Sequence, residues 1–297
     1  MIFSHGKLLL TSEYVVLDGA LALALPTKWG QEFFVAEHFD GKSLIHWSAN
    51  HQEKPWLQLI IDYQTKTIIS SNIPEAAEFI LKVLLTVKAL SNLHLQENSS
   101  YSITTNLQFP ANFGLGSSST LMNNLAKWAD VDAFELNETC LGGSGYDIAV
   151  AQQQSAILYQ NQPDRMIQKV TFNPDYTKDL IFIHLNQKQN SREGIQLYRS
   201  KQKSSELIGG FSQITRQVLE AETLADFSEL MEVHESKLSK FLGIETVKEK
   251  HFENCPVFVK SLGAWGGDFV MSTKFNGFED YFKEKGFSVI FDYQNLI

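Results

Sequence analysis

The sequence predicts an α+β protein with two domains. Its first 70 residues contain a run of short strand-like segments, and amphipathic helices follow further along the chain. A strand, two helices and then a β-β-α-β pattern fill the last part of the chain, which indicates a second α+β layer. A chain of 297 residues has the length for one large domain or two modest ones with sizeable cores.

The first half of the chain is predicted to begin with strands. Residues 2–37 hold four strand segments, with Asp18-Gly19 as a turn signal: KLLL, YVVL, ALALAL and EFFVAE. Residues 42–70 hold two more, SLIHWS and TKTIIS. The first helix is predicted over Pro74 to Leu90, because its apolar residues fall on one helical face. The half-buried strand SYSITTNLQ follows, and a helix is predicted after the glycine–serine cluster FGLGSSS.

The second half is predicted to hold a hairpin, two long helices and a mixed tail. AILYQ and IQKVTF form the hairpin, DLIFIHL is a buried strand, and helices cover about 205–221 and 223–242. The tail consists of strand PVFVKSLG, the glycine cluster GAWGGD, strand FVMST, helix FEDYFKEKG and strand FSVIFDY. Loop-forming residues in NQPD and NPDYTKD place a domain boundary within residues 162–178, which divides the chain into domains 1–170 and 171–297.

Composition excludes several classes of function. A net charge of −9 argues against generic binding to nucleic acid or to an anionic membrane, although a local basic pocket could still bind an anionic small substrate. The two cysteines, Cys140 and Cys255, form no C-x-x-C pair, so they predict small buried residues in a reducing cytoplasm. Glu13 and Asp18 interrupt the apolar N-terminal stretch, which argues against a secretory or membrane-spanning segment.

The glycine–serine cluster is the first candidate site, and it is formed by Gly114, Leu115, Gly116, Ser117, Ser118 and Ser119. Glycines let a backbone approach a ligand closely, and the following helix offers N–H groups and a positive dipole end to a phosphate. The cluster lacks the third glycine of the dinucleotide fingerprint, and Gly41-Lys42-Ser43 lacks the upstream glycine of a P-loop. Taken alone, such a turn is more often a connector that caps a helix.

Three further stretches accompany this cluster in a fixed order. Pro110 with GLGSSS resembles the second motif of the GHMP kinases, the group of galactokinase, homoserine kinase, mevalonate kinase and phosphomevalonate kinase. GKLLLTSEYVVLDGALALAL resembles the first motif, GSGYD the segment with the catalytic aspartate, and KSLGAWGGD the third motif. The first motif and the Gly-Gly-Asp ending are most similar to the mevalonate and phosphomevalonate kinase branch.

The resemblance implies a fold and an activity. The fold would be the two-domain GHMP kinase fold, with an N-terminal domain like ribosomal protein S5 domain 2 and a ferredoxin-like C-terminal domain. The activity would be ATP- and Mg²⁺-dependent phosphorylation of mevalonate or phosphomevalonate. A sugar or homoserine-like acceptor, a decarboxylase acting on diphosphomevalonate, and an inactive nucleotide- or metabolite-binding relative are the alternatives. A homodimer is left open.

The resemblance also implies roles for single residues. The 114–119 loop would cradle the ATP phosphates, with Ser117 or Ser118 near Mg²⁺. Asp147 would accept or orient the acceptor hydroxyl, and Lys7 would pair with Asp147 or with the transferring phosphate. Taken singly, Lys7 could instead be an ordinary solvent lysine, and Asp147 could be a helix N-cap.

The acceptor and the metal would be held by a second set of residues. Glu13 would orient the substrate or a nucleotide loop, Ser144 and Gly145 would contact substrate, and Gly266 and Gly267, together with Gly263, would stabilise the substrate and phosphate loops. A basic stretch containing Arg192, Lys201 and Lys203 is a candidate anion pocket, with a solvated charged loop as the alternative. Glu138, with Glu135 as the alternative, is the candidate acid for Mg²⁺. His234 is predicted to be a surface or packed residue.

Three positions depart from the family pattern. Ser12 stands where the first motif has glycine, which affects a tight turn. Trp265 stands where the third motif has glycine, so its ring would narrow the pocket or stack on a ligand. The segment between Ser119 and Asp147 is shorter than in most relatives, which leaves the metal-binding acid open.

Overall fold

The computed structural model describes residues 1–95, 99–186, 191–263 and 265–297, without the side chains of Ser191 and Arg192. The strands are β1 Ile2–Leu9, β2 Ala22–His38, β3 Leu44–His51, β4 Lys54–Asp62, β5 Thr67–Ser71, β6 Ser100–Leu107, β7 Ile157–Gln160, β8 Met166–Lys169, β9 Leu180–His184, β10 Val259–Leu262, β11 Phe269–Thr273 and β12 Ile290–Asp292. The helices are α1 Pro74–Leu90, α2 Ser117–Ala129, α3 Ala133–Cys140, α4 Tyr146–Gln153, α5 Ser191–Ser200, α6 Ser205–Glu220, α7 Leu224–Leu242, α8 Val247–His251, α9 Phe278–Glu284 and α10 Tyr293–Leu296.

The described chain divides into two compact units that do not follow chain order. The first unit comprises residues 1–6, 29–111 and 115–154, and the second comprises residues 7–28, 112–114 and 155–297. The early segment 7–28 therefore packs with the C-terminal half of the chain. The predicted division of the chain into domains 1–170 and 171–297 stays a prediction.

The first unit is a sheet covered on one face by helices. Strands β5, β4, β3 and β6 lie in that order, and residues 31–38 of β2 pair antiparallel with β6. Inward residues such as Phe33, Trp47 and Ile103 are buried against α1 and α2, whereas their neighbours along each strand face outward. The sheet is mixed, because β3 and β6 pair parallel whereas the other neighbours pair antiparallel, and the alternation is what a sheet with one covered face requires.

The second unit contains an antiparallel sheet in the order β10, β11, β9, β12. The chain runs through it as strand, helices, two strands, helix and strand, which is the β-α-β-β-α-β connectivity that a ferredoxin-like domain requires. The hairpin of β7 and β8 also belongs to this unit, and β7 pairs with residues 22–24 of β2. In the part of the chain that the structure describes, no helix combines the length and apolar character needed to cross a membrane.

Most predicted elements are confirmed. The helices at α1, α2, α6 and α7, the hairpin, and the strands and helix of the tail occupy their predicted segments. The prediction of α+β architecture is confirmed as well. Both cysteines are free and buried, as expected.

Several local predictions are wrong. YVVL is not a strand but a short 3-10 helix over Val15–Asp18 that ends at Gly19, whose φ is +89°. Its β-branched residues favour a strand locally, but Val15 and Val16 are buried in tertiary contacts that override this preference. The basic stretch with Arg192, for which a charged loop was the alternative, forms α5. The GSGYD segment continues into α4. ALALAL and EFFVAE join into the single strand β2, and β4 was not predicted.

Candidate active site

The N-terminus of α2, in the first unit, carries the serines of the glycine–serine cluster. Gly116 precedes the helix with a φ of +86°, and no side chain caps this end. Ser119 Oγ donates instead to the Gly116 carbonyl at 2.9 Å, and Thr120 Oγ1 donates to the Ser117 carbonyl at 2.8 Å. Both hydroxyls thus donate to backbone carbonyls, and Gly116, as the N-cap, offers no side-chain acceptor to the positive end of the helix.

Buried polar contacts hold α2 in place. Asn124 accepts a hydrogen bond from Ser4 Oγ at 2.6 Å and donates to the Gln31 carbonyl at 2.9 Å. Asn123 donates to Ser4 Oγ at 2.7 Å, and both asparagines are fully buried. A buried amide is costly unless it is hydrogen-bonded, so these contacts fix the helix against β1 and β2.

Asp147 lies in the first turn of α4, where a carboxylate is stabilised by the helix dipole. Gly145, with a φ of +84°, is the N-cap, so the alternative in which Asp147 caps the helix is wrong. Ser144, Gly145 and Asp147 are half-buried neighbours along this turn. The segment therefore presents an acid at a helix start that is preceded by a flexible glycine turn.

Residues of three motifs meet at Gly114 in the second unit. Lys7 Nζ donates to the Gly114 carbonyl at 3.2 Å, and Lys7 is only 9% exposed, so it is not an ordinary solvent lysine. The Asp268 carboxylate packs against Gly114 from the third motif, and a Cβ atom on Gly114 would overlap it. Asp268 was not among the predicted site residues, although the Gly-Gly-Asp ending of its motif was the available signal.

The first motif continues into a buried charged group. Glu13 Oε1 lies 2.5 Å from Lys260 Nζ, and both side chains are almost completely buried. His234 on α7 is fully buried, and its Nε2 accepts the Ser12 N–H at 2.8 Å. The prediction that His234 is packed is confirmed.

Burial sets the protonation of this group. Burial lowers the pKa of His234 well below its ordinary value, and Lys260 lowers it further. The 3.2 Å approach of His234 to Glu13 Oε2 is therefore not an ion pair. Burial raises the pKa of Glu13, whereas the Lys260 ammonium opposes that rise. Burial also raises the pKa of the neighbouring Glu235 to about 8, so this carboxyl holds a proton at neutral pH.

The Trp265 ring packs on the protein. It contacts an apolar cluster in the second unit whose members include Tyr14, Tyr198 and Phe241. Its Nε1 donates to the Glu245 carbonyl at 3.0 Å, and its backbone N–H donates to Tyr14 Oη at 2.6 Å. The ring therefore has protein partners on α5 and α7, which accounts for a large side chain in a glycine-rich loop.

The predicted metal and anion ligands lie on several different elements. Ser118 and Glu138 are exposed on α2 and α3, and Glu135 is exposed too. Within the described ranges, no group of three or more His, Cys, Asp or Glu side chains could hold a metal ion. Lys203 Nζ lies 5.0 Å from the centre of the Tyr198 ring. The Arg192 side chain lies outside the described residues.

Solved structures share the fold, whereas the sequence matches no protein-family model and no curated protein. Streptococcus pneumoniae phosphomevalonate kinase, in complex with phosphomevalonate and AMPPNP, superposes with a TM-score of 0.70 at 17% identity, covering 100% of this chain and 99% of that one. Methanococcus jannaschii mevalonate kinase gives 0.68 at 16%, covering 98% and 96%. Lactococcus lactis galactokinase, complexed with galactose, gives 0.66 at 13%, covering 96% and 88%.

These likenesses extend over nearly the whole of each chain. At identities of 13–17% they establish the fold alone. The chain has the two-domain α+β fold of these kinases, so this part of the fold that the motif resemblance implies is confirmed, whereas the naming of the two domains stays a prediction.

Proposed function

We propose that this chain is an ATP-dependent phosphotransferase that acts on a small hydroxylated, anionic metabolite. The observation that carries the proposal is the meeting of Lys7, Gly114 and Asp268, one residue from each of three motifs. Gly114 leads directly along the chain into the uncapped N-terminus of α2. A lysine, a glycine turn and an uncapped helix end are the parts that phosphate recognition uses.

The residues present fit a nucleoside triphosphate. Gly114 and Gly116 both have positive φ, which permits close approach of the backbone to phosphate oxygens. The N–H groups of Ser117, Ser118 and Ser119 would then bind those oxygens. Bound ATP with Mg²⁺ would supply the phosphoryl group and neutralise part of its charge. Ser118 and Glu138 are the proposed metal ligands, because Mg²⁺ in phosphoryl-transfer sites takes few protein ligands and retains water.

The transfer chemistry is assigned to two residues. Asp147 accepts the proton of the acceptor hydroxyl or orients that hydroxyl. The Lys7 ammonium neutralises charge on the transferring phosphoryl group. Positioning and charge neutralisation of this kind supply most of the catalysis in phosphoryl transfer, since little covalent work falls to the protein.

The acceptor is assigned first to mevalonate or phosphomevalonate, as a step in isoprenoid precursor synthesis. The structural likeness to kinases for both compounds, and the Gly-Gly-Asp ending of the third motif, support this choice. Ser144, Gly145, Gly266 and Gly267 would contact the acceptor, with Arg192 as its anion partner. A cytoplasmic location and a homodimer stay predictions.

The second candidate is an inactive relative that binds nucleotide or metabolite. Ser12, Trp265 and the short segment between α2 and Asp147 motivate it, whereas Lys7 and Asp147 argue against it. ADP release should be measured with mevalonate, phosphomevalonate, homoserine and a set of sugars. Turnover with one acceptor supports the kinase and names its substrate. Nucleotide binding without turnover on any acceptor would overturn the kinase proposal in favour of the inactive relative.

A further inference from the structure

Two adjacent residues of the first motif contact the loop between β10 and β11 and the strand that leads into it. Glu13 pairs with Lys260, which lies on β10 just before the loop, at 2.5 Å. Tyr14 Oη accepts the backbone N–H of Trp265, within the loop, at 2.6 Å. All four residues belong to the second unit. The adjacent residues Glu13 and Tyr14 thus contact the strand that leads into the loop and the loop itself.

The backbone is strained where these two side chains diverge. Tyr14 has a φ of +61° and a ψ of −44°, and the Val15 N–H donates to the Glu13 carbonyl at 2.8 Å. This is a γ-turn with positive φ, the rare and strained form. Ser12 also has a positive φ, +65°. Successive side chains of an extended strand point to opposite faces, so without the turn Glu13 and Tyr14 could not both reach one loop.

The surrounding contacts hold the strained segment in place. The Ser12 N–H donates to His234 Nε2 at 2.8 Å, and Ser12 Oγ donates to the Leu21 carbonyl at 2.6 Å. On the loop side, the Ser261 N–H donates to Glu235 Oε2 at 3.2 Å. Strain of this kind persists only where the surroundings fix it, and it concentrates at functional sites.

The Tyr14 hydroxyl also excludes side chains from a neighbouring helix. A Cβ atom on Gly194 of α5 would overlap Tyr14 Oη, so this position of the helix accommodates only glycine. Within the loop, the Gly266 N–H donates to Ser261 Oγ at 3.1 Å. The Glu13 and Tyr14 contacts therefore act on a loop that is itself tied back to β10 beside Lys260.

We propose that Glu13 and Tyr14 are positioning residues that fix the loop of residues 263–268 for phosphoryl transfer. Glu13 acts through Lys260, and Tyr14 acts through the backbone of Trp265. Neither residue touches the reacting atoms in this proposal, which rests on the proposed function. A buried ion pair is a weak source of stability, since desolvation offsets much of its attraction, but it is well suited to selecting one conformation.

Tyr14→Phe tests the proposal, because it removes only the hydroxyl that accepts the Trp265 N–H. Tyr198→Phe is the matched control: its ring stacks on Tyr14 with centroids 6.1 Å apart, and its hydroxyl bonds Asp18 instead of the loop. Hydrogen–deuterium exchange of the peptide covering residues 259–269 should be measured in each variant, together with kcat and KM for nucleotide and acceptor. Thermal midpoints report any general loss of stability.

Tyr14→Phe is expected to raise exchange in this peptide about 3- to 10-fold and to lower kcat/KM by a similar factor. Tyr198→Phe should leave both at the wild-type value for the folded protein. Unchanged loop exchange in Tyr14→Phe, or an equal rise in the control, overturns the proposal. Faster exchange with an unchanged kcat/KM overturns the positioning role.

The charged contact is tested with a double variant, since Lys260→Met alone leaves Glu13 buried without its partner. Glu13→Gln/Lys260→Met removes both charges, and a folded double variant with increased loop exchange and reduced kcat/KM supports the proposal. Wild-type exchange and kcat/KM in this double variant overturn it. A wild-type chain without transfer activity on any acceptor would instead remove the proposed function, and the exchange data would still decide whether Tyr14 holds the loop.

Discussion

The carboxylate of Asp268 lies directly against the Cα atom of Gly114, so a Cβ atom at position 114 would overlap Oδ2 of Asp268. Gly114 also has a φ of +66°, which disfavours any residue with a side chain. Glycine is thus required there twice, once by the backbone and once by the neighbouring acid.

Gly114→Ala separates these two requirements when it is compared with Gly277→Ala. Gly277 has a φ of +76° but open space where a Cβ atom would lie, so its substitution carries only the left-handed penalty of about 1 kcal/mol. We expect Gly114→Ala to lower the free energy of unfolding by about 1–3 kcal/mol more than that. Urea denaturation of both variants measures the difference. Adding Asp268→Ala should recover part of it, and no recovery would mean that the acid is not the obstacle.

The left-handed backbone of Ser12 should lower the free energy of unfolding, whereas its hydroxyl should raise it. Ser12→Ala keeps the φ of +65° and loses the bond to the Leu21 carbonyl, so we expect a loss of about 1 kcal/mol. Ser12→Gly loses the same bond but relieves the left-handed strain, so it should be more stable than Ser12→Ala by about 1 kcal/mol. Equilibrium unfolding ranks the two. An alanine variant as stable as the glycine variant would contradict the strain argument.

Because of Glu235, the free energy of unfolding should fall as the pH rises. Its folded pKa of about 8 lies above the ordinary 4.5, so the folded state binds a proton that the unfolded state has released between these values. The contribution is fully present below pH 4.5 and is lost as pH rises through about 8. Glu235→Gln should flatten this fall by up to about 1.4 kcal/mol per pH unit. Denaturation from pH 5 to 9 is the measurement, with the exposed Glu253→Gln as control. Parallel curves for wild type and Glu235→Gln would refute the prediction.

The Trp265 ring is expected to stabilise the folded protein through its packing and its hydrogen bond. Trp265→Phe loses the bond from Nε1 to the Glu245 carbonyl and should cost about 1 kcal/mol. Trp265→Gly also vacates part of the apolar cluster with Phe241 and should cost about 2 kcal/mol or more. Because the backbone N–H to Tyr14 remains in Trp265→Phe, nucleotide affinity of this variant should equal the wild-type value. Calorimetric titration with a nonhydrolysable nucleotide checks this point, and a tenfold loss of affinity would assign the ring to the ligand.

Asp147→Asn should lower kcat by about 10²- to 10⁴-fold, since the amide cannot accept the acceptor proton. Nucleotide affinity should stay near the wild-type value. Asp132→Asn is the matched control, because Asp132 caps α3 and asparagine is an equally good cap. Steady-state ADP release measures both variants. Wild-type turnover in Asp147→Asn would remove this residue from the site.

The fold could be predicted where the pattern along the chain is strong. The apolar face of α1 and the alternation in β6 are local signals, and the structure has these elements at their predicted residues within one position. YVVL could not be assigned correctly, because the γ-turn at Tyr14 depends on contacts with α7 and with the β10–β11 loop. Helix α5 was missed because Gly194 interrupts it and because its charged residues Arg192, Glu193 and Arg199 are also typical of a solvated loop.

The candidate site was predictable only as separate motifs. The sequence indicated Lys7, Gly114 and Asp147 by resemblance, and their catalytic roles stay predictions. It contains no signal that Glu13 pairs with Lys260, which is 247 residues away along the chain. Glu235 was missed for the same reason, since a contact between distant segments leaves no periodicity in either one. Asp268 was missed although the Gly-Gly-Asp ending of its motif was a signal for it.

The two buried asparagines of α2 fix how far this helix is rotated about its own axis. Apolar contacts are non-directional, so a helix with a purely apolar inner face can turn or slide by a fraction of a residue at little cost. Hydrogen bonds are directional, and one residue of shift rotates a helix by about 100°. Asn123 and Asn124 would then lose Ser4 and Gln31 together. The helix therefore has one orientation about its axis, and the N–H groups of its first turn point in one direction.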